Sequence, residues 1–233
     1  MGTQASYAHP IEHQQQQATH LDVIRALLEA GADPNIRMNQ HLWYTEYTFF
    51  VMSSGGIHYA GATPFWRATQ ALDLDAMHLL KEYGAKPDIP NIKRPKRRRP
   101  MDQTADPEEP VKEEVDHSGL PPIPNGGPSL YPIHLAAGAG YGQYFVGTAH
   151  RHVPGNWLPV VKFLVEECGA DVNLRDANGY TALHHAASRG DNKVITYLLD
   201  KGADITVVSR KGQTTVDMAN GPIERVIPVS YPH

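Results

Sequence analysis

The sequence predicts an all-α solenoid of about four stacked helix-turn-helix units with hairpin-like fingers, closed by a C-terminal half unit and interrupted by three insertions. Three observations predict it. Gly-Ala-Asp begins at Gly169 and again at Gly202, 33 residues apart. Thr181, which opens the helical run TALHHAA, recurs 33 residues later as Thr214. The apolar stripe Val194, Ile195, Leu198 and Leu199 is matched one unit earlier by Val160, Val161, Leu164 and Val165, a spacing that lets one helix pack on the next.

The same landmarks recur upstream at wider spacings. Gly31 to Gly84 is 53 residues, one period plus 20, and Gly84 to Gly169 is 85, one period plus 52. Helix starts are expected at Thr63-Pro64-Phe65 and Tyr131-Pro132-Ile133-His134. The units fall at approximately 10–37, 61–90, 129–176 and 177–209, the half unit at 210–221, and the insertions at 38–60, 91–128 and 138–157. In the third unit Ala136 to Ala186 is 50 residues but Val160 to Val194 is 34, so 16 extra residues separate its two helices and one more precedes Gly169. The polar stretch Ile11 to Thr19 stands where a first helix belongs in the first unit, as a polar cap or the stump of a longer array.

Local chemistry supports these assignments. Thr181 before an apolar run is a good N-cap, Pro64 and Pro132 suit the first helical position, and His184 lies three residues past Thr181, where it can close a capping-box-like arrangement. Gly169 and Gly202 supply the positive φ that ends a helix, after which an Asp-x-Asn segment turns out into a finger.

These residues resemble the ankyrin repeat, a 33-residue unit with a T-P-L-H-x-A signature. The likeness is most specific in TALHHAA and GADVNLRDANG, and weaker where Trp66 and Asp217 replace the signature His. The segments ATPFWRA and YGQYFVGTAHRHVPGNW are similar to insertion-bearing bacterial ankyrin-repeat proteins, some of them exported. The resemblance implies a non-enzymatic protein-binding module, monomeric, soluble, without cofactor or metal, in a bacterial cytoplasm or, as a mature form or fragment, the periplasm or beyond.

Composition narrows the classes. With 21 Lys plus Arg against 25 Asp plus Glu and a net charge of −4, the chain is not built mainly to neutralise phosphates. No apolar run is long enough to span a bilayer, and a single cysteine, Cys168, rules out an intrachain disulfide framework. Neither nucleic acid nor membrane is expected as a partner. The N-terminal MGTQAS fits a short acylation pattern but no secretory signal. Phosphate loop, nucleophile elbow and paired-carboxylate motifs are missing. Cys168, without a neighbouring base in sequence, reads as a buried helix-end residue.

The expected binding surface is the concave one, made of finger tips and first-helix faces. By the family pattern, Ala177, Asn178, Tyr180, Ser188, Arg189, Arg210, Lys211 and Gln213 are free of structural duty, which makes them candidates for an unknown protein partner. The first insertion adds Trp43, Tyr44, Tyr47, Phe49 and Phe50, with Tyr59 beside them, as a recognition surface or a local minicore. The second begins KRPKRRRP and turns acidic, which reads as a disordered, self-compensating loop, while its two P-x-x-P matches name no partner. Two rival functions remain: a metal site using His150, His152 and His185, and a nuclear regulator using the basic run Lys93 to Arg99.

Overall fold

The structure, a computed structural model, describes residues 17–39, 57–93, 115–140 and 152–220, and the backbone of 47–48 and 51–52. Its helices are α1 (His20–Glu29), α2 (Pro64–Gln70), α3 (Leu74–Glu82), α4 (Pro132–Ala136), α5 (Trp157–Lys162), α6 (Ala182–Arg189), α7 (Asn192–Asp200) and α8 (Thr215–Ala219). A two-stranded antiparallel ribbon, β1 (Tyr47–Thr48) and β2 (Val51–Met52), lies within the first insertion. The short helices α2, α4, α6 and α8 stack in one row, with α1 against α3 and α5 against α7 behind them. This is the expected all-α solenoid.

Three of the four front helices, α4, α6 and α8, open by the same device, with different side chains supplying it. The Nδ1 atom of His184 accepts from the Thr181 hydroxyl at 2.9 Å and the Thr181 N–H at 3.3 Å, and that of His134 accepts from the Tyr131 N–H at 3.1 Å. Asp217 plays this part for Thr214, accepting from its N–H and its hydroxyl, each at 2.7 Å. His134 Nε2 donates to the Leu174 carbonyl in the finger of its own unit at 2.9 Å, while Trp66 Nε1 donates to the Leu130 carbonyl of the next unit at 2.8 Å. Trp66 is fully buried, and its indole N–H bridges two units from the position where the signature has an imidazole.

One apolar core runs through the stack, with Phe65, Leu72, Met77, Leu80, Ile133, Val160, Leu164, Leu183, Val194 and Leu198 among its members. A second, smaller cluster joins Ile57, Tyr59, Ala62, Trp66, Leu135 and Ala139, and the Tyr59 ring meets Trp66 edge-on at 6.1 Å. Three stripe positions differ from expectation. Leu199 is 43% exposed, and Tyr197 is buried in its stead, its hydroxyl donating to Glu166 Oε1 at 3.0 Å. Val165 and Ile195 are only partly buried.

The single extra residue before Gly169 appears as a π-helical turn, Phe163–Glu167, continuing α5. An inserted residue inside a helix is absorbed this way, by letting one stretch bond i to i+5. Leu164 thereby keeps the buried position of Leu198, and Gly169 (φ 69°) the helix-ending role of Gly202 (φ 86°).

Candidate functional site

The fingers form a line held by backbone hydrogen bonds from one to the next. Ile92 N–H donates to the Ala60 carbonyl at 3.0 Å, Ala177 N–H to Ser129 at 3.1 Å, and Arg210 N–H to Asn178 at 2.9 Å. Side chains reinforce two of the joints. Asn35 donates to the Gly84 carbonyl at 3.0 Å and accepts from Lys86 N–H at 2.7 Å; Asn173 does likewise to Gly202 at 3.0 Å and from Asp204 at 2.8 Å. Arg37 reaches the Gly61 carbonyl at 3.0 Å and Pro90 at 2.6 Å, as Arg175 reaches Gly179 at 3.0 Å and Val208.

The first two insertions grow from the finger tips. The first is closed at its neck by Met38 and Ala62, with Met38 N–H donating to the Ala62 carbonyl at 3.0 Å. The second is closed by Ile92 opposite Pro128 and by Asn91, whose side chain accepts from Leu130 N–H at 2.7 Å and donates to the His58 carbonyl at 2.6 Å.

The reading of residues 91–128 as one self-compensating loop needs correction, because 115–128 returns as a strap across the next two fingers. Arg210 holds the Asp116 carboxylate, the Leu120 carbonyl at 3.3 Å and the Pro121 carbonyl at 2.7 Å. Arg175 reaches the Ser118 carbonyl at 3.4 Å, and His117 N–H donates to the Arg210 carbonyl at 3.1 Å. Hydrogen bonds from Ser118, then the Arg210 guanidinium, hold the Asp116 carboxyl down at about 2. The charge run gave no sign of this contact, since the two guanidinium groups that receive the strap lie in fingers far along the chain.

Under the strap sits a buried polar knot. Asp176, 2% exposed, accepts from His185 Nε2 at 3.1 Å and from the N–H groups of Asn178 at 2.8 Å and Tyr180 at 2.9 Å. Burial pushes its carboxyl up, but those donors and the neighbouring histidines outweigh it and the net direction is down. His134, 5.7 Å from the His185 ring, is pushed down to about 4 by burial.

The candidate residues therefore divide. Ala177 is buried at 5% and offers backbone, its carbonyl accepting from Arg210 Nε at 3.0 Å. Tyr180 packs on the rings of His184 and His185, each at 5.7 Å, and its hydroxyl bonds Gln213. Arg189 pairs with Asp191 and stacks on Trp157 at 3.7 Å, and Arg210 holds the strap. These five positions, Gln213 included, carry structural duty that the repeat pattern did not show. Asn178, Ser188 and Lys211 are exposed. Tyr47 lies in β1, while Trp43, Tyr44, Phe49 and Phe50 are outside the described residues.

His150 and the basic run beyond Lys93 are also outside the described residues. His152 lies against Trp157 at 5.0 Å and His185 on Asp176, and among the described residues no three His, Cys, Asp or Glu side chains gather as a metal set. Lys93 donates to the Ile123 carbonyl at 2.8 Å, and burial raises the pKa of half-buried Cys168. No described helix is long and apolar enough to cross a membrane.

Comparison with known proteins agrees with the geometry. The family model for ankyrin repeats in three copies matches residues 148–222, and that for a single ankyrin repeat matches 14–39. The chain is an ankyrin-repeat protein. It is 42% identical over 62 residues to ankyrin repeat and SAM domain-containing protein 6 of Rattus norvegicus, covering 26% of this chain and 7% of that one. Over 78 residues it is 37% identical to protein phosphatase 1 regulatory subunit 12A of Mus musculus, covering 33% and 8%. Over 55 residues it is 40% identical to ankyrin repeat domain-containing protein 40 of Homo sapiens, covering 23% and 15%. The matches thus span small fractions of these relatives. Ankyrin repeats are in general protein–protein interaction modules.

Proposed function

We propose that this chain is a non-enzymatic module that binds a partner protein along its line of fingers, from the aromatic first insertion to the tips around Asn178 and Lys211. The observation that supports this most is the combination at the tips: a backbone fixed by finger-to-finger hydrogen bonds carries exposed Asn178 and Lys211, with Ser188 exposed on α6. A rigid platform with projecting polar side chains binds at low ordering cost. The aromatic residues of the first insertion would supply anchors of the kind that dominate interface energetics.

Affinity purification from the native organism with mass spectrometry identifies the partner, and variants then locate the contact. Trp43→Ala and Lys211→Glu are expected to weaken binding, the first by about 2 kcal/mol if Trp43 is a hot spot, with the melting temperature held. Lys193→Glu on α7, away from the fingers, is the control. A Trp43→Ala protein that melts many degrees lower but binds as before would make the aromatic cluster a minicore instead.

A further inference from the structure

We infer that the finger surface around Arg175 and Arg210 is a binding site for an extended, acidic, proline-containing peptide segment of the partner, and that residues 116–121 occupy it as a built-in stand-in. This rests on the proposed partner-binding role and specifies the chemistry of one part of the partner.

The strap's own contacts define what the surface accepts. Two guanidinium groups take one carboxylate, from Asp116, and three main-chain carbonyls, those of Ser118, Leu120 and Pro121. The finger returns one acceptor, the Arg210 carbonyl, to the His117 N–H. Recognition is therefore of an extended backbone, which Pro121-Pro122 favours because proline fixes φ near the polyproline value. Beside it a groove of about 350 Å³ lies between Leu120 and Pro121 on the strap and Leu174, Arg175 and Arg210 on the fingers.

Charge selects the acid. Burial and then the neighbouring Arg210 lower the Arg175 pKa, and Asp116 and Asp176 offset this only in part. A surface holding two adjacent guanidinium groups favours an anion between them. The strap is replaceable, because no residue from 115 to 128 is buried, so leaving the surface exposes little apolar area. A covalently tethered segment acts at an effective concentration on the order of millimolar, so a partner segment must exceed that local competition or bring further contacts.

The test uses the full chain with residues 116–121 replaced by Gly and Ser, and a synthetic peptide of residues 115–122 as probe. Titration is followed by isothermal calorimetry and by the arginine Nε–H signals in NMR. The replaced chain is expected to bind the peptide at least tenfold more tightly than the intact chain, with the Arg signals shifting. Arg210→Gln in the replaced chain, or Asp→Asn in the peptide, is expected to abolish that gain. Equal affinity for the two chains, or binding indifferent to Arg210→Gln, overturns the inference. Should the replaced chain melt too low for titration, Asp116→Asn in the intact strap serves: a several-fold gain in peptide affinity supports the inference and no gain overturns it. A partner protein whose affinity is the same with and without the strap would remove this inference while leaving the broader binding role standing.

Discussion

At the scale of single residues, buried His134 does structural work that fixes its protonation. His134 donates from Nε2 and accepts at Nδ1, so it must be neutral, with its proton on Nε2. Its folded pKa of about 4 lies below the ordinary histidine value. In the unfolded chain it binds a proton once pH falls below about 6.5, while the folded chain resists until about 4. Stability from this group is therefore complete above that unfolded value and declines on acidification, by up to about 3 kcal/mol. Melting followed from pH 7.5 to 4.5 is expected to show this fall, and His134→Gln to flatten it at a lower starting stability. An unchanged slope in the variant would assign the acid sensitivity elsewhere. Leu198, fully buried in the main core, sets the scale for packing: Leu198→Ala is expected to cost about 2–5 kcal/mol in denaturant titration. A loss below 1 kcal/mol would contradict its place in the stack.

At the scale of elements, the π turn shows how the sequence could be read and where it stopped. The mismatch of 34 against 33 residues located one surplus residue between Leu164 and Gly169, and the structure absorbs it as Phe163–Glu167. Deleting Glu167 leaves Leu164, Glu166 and Gly169 in the register of Leu198, Asp200 and Gly202. The deleted chain is expected to keep its helical circular dichroism and melt within a few degrees of the parent. Collapse of the cooperative transition would show that the turn is required. Helix starts were legible because Thr, Pro and His each act within four residues along the chain. Trp66 and Asp217 looked like defects in the signature, yet each makes a hydrogen bond that position needs, since the requirement is for a donor or acceptor in reach. The strap was invisible because its partners, Arg175 and Arg210, are 57 and 94 residues away from Ser118 and Asp116. Composition speaks only for a segment's own tendency to fold, not for what a distant surface offers it.

At the scale of the whole molecule, the stack is continuous in its core but not uniform in its joints. Asn35 and Arg37 fasten their finger to the next, and so do Asn173 and Arg175. At the corresponding positions between them stand Asp88 and Pro90, and there Trp66, the His78 ring against Phe163 at 4.3 Å, and Lys81 on the Glu167 carbonyl at 2.8 Å make the bridge. The family and the packing of one unit on the next could be read from a 33-residue period; the binding surface could not, because five of its candidate residues serve the fold through contacts with residues outside their own unit. Whether the partner is held along the fingers can be read by hydrogen exchange of the full chain with and without the partner. Added protection is expected at residues 175–180 and 209–213, with α3 and α7 unchanged. Protection confined to α3 and α7, with the fingers exchanging as in the free chain, would contradict binding along the fingers.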